Sequence, residues 1–168
     1  MSPAGAVLAF VTLQRLGELV LANRHTRALR AQGAYEIGAG HYPLIVATHA
    51  AWLAGLWWLG WDRPVDLRLL ALFALLQLAR VWVIASLGRR WTTRILVLPG
   101  APLVARGPYR FMSHPNYAVV AGEIAVLPLA FGLPGFAVVF SLINAAVLTI
   151  RIRCEARALR TTQGLAAS

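Results

Sequence analysis

Gly107-Pro108-Tyr109-Arg110-Phe111-Met112-Ser113-His114-Pro115-Asn116-Tyr117, running on to Glu123, sets polar side chains of several kinds between two apolar segments. Gly107-Pro108 signals a turn. Pro115 restrains His114 to an extended backbone and can open a helix. From Asn116 the pattern reads as a helix entering apolar sequence, with Asn116, Val119, Val120, Glu123 and Leu127 on one face. A carboxylate is thereby carried into a membrane-like region, which a simple connector does not require. A loop rich in Arg and His, leading into a helix with an inward-facing acid, suits a small polar molecule bound at a membrane boundary.

Composition supports that setting. The 168 residues are 59% hydrophobic and 13% charged, with a mean hydropathy of +0.66. A soluble domain is rarely so apolar, and several long uncharged stretches indicate a polytopic membrane protein. The net charge of +10 sits at the ends of the apolar segments. That placement favours anionic lipid headgroups over nucleic acid as the partner. All sixteen basic residues other than His are Arg. The lone Cys154 excludes an internal disulfide and a cysteine-based metal cluster, and no metal is expected. The N-terminus lacks a basic leader region and a cleavage site, and reads as a retained membrane helix.

The first apolar segment spans about Pro3 to Ala22 and carries Gln14, Arg15 and Glu18. Arg15 and Glu18, three apart, can pair on one face, and Glu18 is expected to face the bundle. Arg24, His25, Arg27 and Arg30 continue the helix along the interface. A Gly-rich connector from Gly33 to Pro43 follows, in which Glu36 and His41 read as solvated. Pro43 to Trp61 is a second span, with Trp57, Trp58 and Trp61 as an aromatic belt and His49 hydrogen-bonded to a neighbouring helix. A third span starts near Asp66 and ends about Leu87, with Gln77 and Arg80 on one inward face. Residues 91–100 suggest a hairpin-like or irregular cap. Ile124 to Ile150 is uncharged and too long for one span, and Gly132-Leu133-Pro134-Gly135 breaks it into two helices joined by a tight hairpin. Arg151, Arg153, Glu155, Arg157 and Arg160 lie on a helix emerging from the last span.

These segments describe one all-α domain over residues 1–168. It is a polytopic bundle of about five transmembrane helices with a capping loop and a C-terminal helix. Alternating spans put segments 23–41, 88–115 and 151–168 on one side, with twelve of the sixteen arginines. The positive-inside rule makes that side cytoplasmic, with the N-terminus outside.

Gly107-Pro108-Tyr109-Arg110 followed by His114-Pro115-Asn116-Tyr117 resembles the signature of isoprenylcysteine carboxyl methyltransferase-like membrane proteins. The bacterial branch is the nearer match. Arg15-Leu16-Gly17-Glu18 and the stretch Gly33 to Pro43 are also similar to that branch, extending the likeness over most of the chain. Two departures stand out. Ser113 occupies a place where an Arg often precedes His-Pro, and Ala118-Val119 stand where a Gly often follows the Tyr. The resemblance implies methyl transfer from S-adenosylmethionine to a lipophilic acceptor in a bacterial inner membrane, and the charge bias puts the site on the cytoplasmic face. The acceptor would be a prenylated cysteine carboxylate or a lipidic enol or phenol.

On that resemblance and charge logic, Arg151 and Arg110 would hold the acceptor anion. His114, Pro115, Asn116, Tyr117, Glu123 and Glu155 would hold the cofactor, Glu123 through a hydroxyl or the sulfonium region. Two other classes fit parts of the pattern. One is a nicotinamide-dependent membrane reductase; the other is a small transporter or scaffold, which predicts internal repeats that are not seen.

Overall fold

The computed structural model describes residues 2–102 and 104–166, with side chains described as far as residue 156. Arg157 and Arg160 of the expected basic tail therefore lie outside the described side chains.

Among the described residues five α-helices follow one another. Helix α1 (Pro3–Ala31) opens on Ser2, whose hydroxyl accepts from Gly5 N, with Pro3 in the first turn where a missing N–H costs nothing. A two-residue strand β1 (Tyr35–Glu36) precedes α2 (Tyr42–Gly60). Helix α3 (Leu67–Leu87) is capped by Asp66, which accepts from the amides of Arg68 and Leu69 at 2.8 and 3.2 Å. Strand β2 (Leu96–Val97) follows, then α4 (Pro115–Ala130) and α5 (Pro134–Ala166). The break expected inside 124–150 falls at Phe131-Gly132-Leu133, with Gly132 at φ 67°.

Four segments are long and apolar enough to cross a membrane: Pro3–Ala31, Ala39–Gly60, Leu67–Arg90 and Pro134–Ala156. Helix α4 has 16 residues. At ~1.5 Å per residue it is roughly 24 Å long, short of the ~30 Å hydrocarbon core. The five-helix architecture stands, with α4 as its short member. Large apolar side chains cover the outside, Leu13, Leu78 and Leu142 being 70%, 67% and 67% exposed. A water-soluble fold would bury such residues; an integral membrane protein presents them to lipid.

The interior is layered along the bundle. Ala4, Leu8, Val11, Trp52, Leu56, Phe73, Val120, Ile124, Leu127 and Phe131 form an apolar core in the half holding the N-terminus of α1 and the C-terminus of α4. Gly122 lets α4 press against α3, for a Cβ there would lie 3.0 Å from Leu76.

A polar layer crosses the middle. Arg80, 5% exposed, donates from Nε and Nη2 to both oxygens of Glu18, the second at 2.6 Å, and from Nη1 to Glu123 Oε2 at 2.9 Å. Arg15 donates to the same Glu123 oxygen at 2.7 Å and lies 3.5 Å from Glu18. Gln77 donates to Glu123 Oε1 at 2.8 Å, and Gln14 to Gln77 at 2.6 Å. Two arginines and two glutamates make a neutral cluster joining α1, α3 and α4, which is how four charges are tolerated there. His49 instead bonds its own helix, Nδ1 to Ile45 O at 2.9 Å, rather than a neighbouring one. The imidazole folds back one turn onto its own helix, where the Ile45 carbonyl still has a lone pair to share.

The segment after α3 does not form a hairpin by itself. Its strand β2 pairs antiparallel with β1, Tyr35 opposite Val97 and Glu36 opposite Leu96, so the cap is built from two connectors distant in sequence. Glu36 is correspondingly half-buried rather than solvated, ion-paired with Arg94 at 2.8 Å and with Arg30.

Candidate functional site

The site forms where the N-terminus of α4 meets the emerging part of α5 beneath this cap. Gly107 starts the approach. Its φ of +58° is one that L side chains rarely adopt, and a Cβ there would lie 2.1 Å from Ser86 Oγ. The turn it makes carries Tyr109 and leads to His114, after which Pro115 opens α4. His114 and Tyr117 lie one turn apart, their rings stacked with centroids 4.9 Å apart.

Helix α5 supplies the charges. Tyr117 donates its hydroxyl proton to Glu155 Oε2 at 2.7 Å and accepts from Arg151 Nε at 2.8 Å. His114 Nδ1 stands 3.6 Å from the same Glu155 oxygen. Because Arg151 and Glu155 are four residues apart on one helix, a single phenol from α4 can bridge them. Arg151 Nη1 also donates to Thr93 O at 2.8 Å, and Tyr42 Oη lies 3.1 Å from Thr93 Oγ1. The Arg94 guanidinium sits 4.0 Å over the Tyr42 ring. The cap is thus tied to α5 through the backbone of Thr93. Burial, reinforced by the negative charge of Glu155, pushes the Tyr109 phenol up to about 12, so it is neutral across physiological pH and can donate a hydrogen bond.

Two buried polar atoms at this end lack a partner among the described residues, the Asn116 Oδ1 acceptor and the His41 ring nitrogen Nδ1. His41 reaches the area because Gly38, at φ +67°, turns the connector tightly against α5. A Cβ on Gly38 would be 3.0 Å from the His41 ring and 3.4 Å from Cys154 Cβ. Unpartnered buried polar atoms are costly and mark groups that await a ligand or water.

His114, Pro115, Asn116, Tyr117, Arg151 and Glu155 are therefore drawn to one end of α4. Two expected members are not. Glu123 is fully buried, and both its oxygens are committed to Gln77, Arg15 and Arg80 in the polar layer. It lies six residues beyond Tyr117, about 9 Å along the helix. Its burial is therefore accounted for by interhelical pairing. Arg110, at the end of the 107–110 turn, is exposed and has no polar partner among the described residues. Sequence reasoning missed Thr93, Tyr42 and Tyr109 as neighbours of the charged pair and treated His41 as solvated. The Gly33–Pro43 likeness was the one signal that the connector belongs to the site.

The family model for isoprenylcysteine carboxyl methyltransferase (ICMT) matches residues 69–161, which takes in α3 from Leu69 onward, the β2 connector of the cap, α4 and the Arg151–Glu155 turn. The chain belongs to this family. It is accordingly an integral membrane protein of a methyltransferase family. The uncharacterized protein YpbQ of Bacillus subtilis (strain 168) is 37% identical over 167 residues, covering 92% of this chain and 95% of that protein. No solved structure matches. The family match starts at residue 69, so α1 and the Gly-rich connector are aligned through the Bacillus relative, which extends over nearly the whole chain.

Proposed function

We propose that this methyltransferase uses S-adenosylmethionine to methylate an oxygen of a lipophilic acceptor, a prenylcysteine carboxylate or a lipidic enol or phenol. The observation that carries the reading is the bridge Arg151–Tyr117–Glu155, with His114 beside it, at the end of the bundle where α4 begins. An amino-acid zwitterion needs a fixed cation and a fixed anion a few ångströms apart, together with neutral hydrogen-bonding groups. The residues present fit: Glu155 and His114 for the charged end, Tyr117 and Tyr109 as neutral phenols, and the unpartnered Asn116 Oδ1 and His41 Nδ1 for polar groups of the cofactor. Bound S-adenosylmethionine would supply a methyl group made electrophilic by its sulfonium.

The chain's own residues then bind, orient and exclude water. Arg151 Nε and Nη1 are spent on Tyr117 and Thr93, which fixes the plane of the guanidinium. Its remaining N–H groups are available to an anionic acceptor, and a planar fork holds an oxyanion in one orientation. A carboxylate or acidic enol is already ionised near neutral pH, so no strong base is required; orientation supplies the rate, worth effective molarities on the order of 10⁵ M or more when alignment is good. The apolar exterior of α4 and α5 suits an acceptor whose tail stays in lipid. Arg151→Lys keeps the charge and loses the fork, so turnover should fall roughly 10²-fold, the loss of one directed charged bond of about 2–3 kcal/mol, with cofactor binding largely retained. Activity indifferent both to Arg151 and to acceptor chain length would refute a lipid acceptor held by this residue.

The site would face the cytoplasm, since the arginine-rich connectors share its end of the bundle. Reporter fusions should place the N-terminus outside and the C-terminus inside.

A further inference from the structure

A second polar feature lies outside the proposed methyl-transfer site, where α1 leaves the apolar region. A cavity of about 380 Å³ is lined by Asn23, Thr26, Arg27, Arg30 and Arg94. Three arginines line it, and among the described residues the one carboxylate paired with any of them is Glu36, shared between Arg30 and Arg94. Among the described contacts Arg27 makes only a long bond to its own helix, Nε to Asn23 O at 3.4 Å. The positive charge is therefore in excess. Thr26 is 7% exposed, and its hydroxyl has no partner among the described residues. A buried donor beside surplus guanidinium groups is matched by an anion with several acceptor oxygens.

The helix also shows where such an anion comes from. Leu16, Val20, Asn23 and Arg27 fall within a narrow stripe of α1 at the helical repeat, and all four are exposed. Leu16 and Val20 are 54% and 53% exposed, so an apolar strip leads straight up to the basic cavity. A free inorganic anion has no use for that strip. A phospholipid uses both parts, with acyl chain on Leu16 and Val20 and phosphate at Arg27, Arg30 and Thr26.

We propose that this cavity is a binding site for the phosphate headgroup of an anionic phospholipid. Surplus positive charge selects a headgroup without a compensating ammonium, so phosphatidylglycerol is preferred over phosphatidylcholine. The inference stands independently of the methyl-transfer reading, and its readout needs no activity.

The test is native mass spectrometry of the full chain released from nanodiscs of phosphatidylcholine containing a minor fraction of phosphatidylglycerol. Wild type should retain phosphatidylglycerol at least tenfold over its share of the bilayer. Arg27→Gln/Arg30→Gln should bring retention close to that share, and Thr26→Val should lower it several-fold. The control Arg24→Gln/Arg89→Gln removes the same charge from exposed positions that do not line the cavity, and should keep the wild-type preference. Because Arg30 also pairs with Glu36, Arg27→Gln alone serves if the double variant does not fold. An equal fall in the control would show a diffuse surface field and overturn the proposal, as would equal retention of phosphatidylcholine. Stabilisation by millimolar inorganic phosphate, lost in the same variants and without any lipid preference, would overturn the assignment to lipid.

Discussion

Replacing Arg80 by leucine removes three charge-assisted hydrogen bonds at once, two to Glu18 and one to Glu123. The cluster of Arg15, Arg80, Glu18 and Glu123 goes from neutral to a net charge of −1 in the interior. Glu123 keeps Arg15 and Gln77, but Glu18 is left with Gln14 at 3.1 Å and Arg15 at a long 3.5 Å. Removing one partner of a buried pair costs about 3–5 kcal/mol, because the other charge stays desolvated. The full sum of three bonds is not reached, since Arg15 and the two glutamines remain. A second substitution separates this cause from lost packing. Arg80→Leu/Glu18→Leu is again neutral, and should cost less than the sum of the two single variants by about 1–3 kcal/mol, a coupling expected of direct partners. Reversible unfolding by SDS in mixed micelles, followed by loss of helicity, reads both quantities. A single variant costing under about 1 kcal/mol, or a double variant no better than the sum of its parts, would refute the interhelical clamp.

Other expectations follow from the site. Tyr117→Phe deletes the hydroxyl that links Arg151 to Glu155, and should weaken S-adenosylhomocysteine binding roughly 10–100-fold, the equivalent of about 1.5–3 kcal/mol for a hydrogen bond to charged groups. Calorimetry in detergent checks it, and unchanged affinity would remove Tyr117 from the pocket. Gly107→Ala meets Ser86 at 2.1 Å while holding a positive φ, so it should destabilise by at least about 1–3 kcal/mol. Its thermal midpoint should drop, and Ser86→Gly in the same chain should recover part of the loss by removing the contact.

Much of the bundle was legible because lipid imposes strong rules on sequence. Uncharged stretches of about 20 residues, the start of the third span near Asp66 and the Gly132-Leu133-Pro134-Gly135 breaker each have one structural meaning in that solvent. Charges inside the spans were legible as inward-facing, yet their partners were not. Arg15 and Glu18 pair as their spacing allows, but Arg80 and Glu123 join them from helices whose rotation only packing decides. That is also why Glu123, about two turns into α4 on the face that starts at Asn116, looked like a site residue although its oxygens are used elsewhere. The motif and the i,i+4 spacing singled out His114, Tyr117, Arg151 and Glu155, which the fold brings together. Thr93 and Tyr42 escaped, since a backbone carbonyl and a loop tyrosine carry no pattern until β1 and β2 bring two distant connectors together.

The central claim is that the His114–Tyr117–Arg151–Glu155 end of the bundle holds S-adenosylmethionine, and direct ligand binding tests it. The purified protein in detergent is titrated with S-adenosylhomocysteine and separately with a reduced nicotinamide cofactor, following the thermal midpoint, which rises with occupancy of the folded state. The expected result is saturable stabilisation by S-adenosylhomocysteine only, lost in His114→Ala and Glu155→Ala but retained in His25→Ala, with all variants monodisperse. Stabilisation by the nicotinamide instead, or His114→Ala and Glu155→Ala variants that bind like wild type, would contradict it.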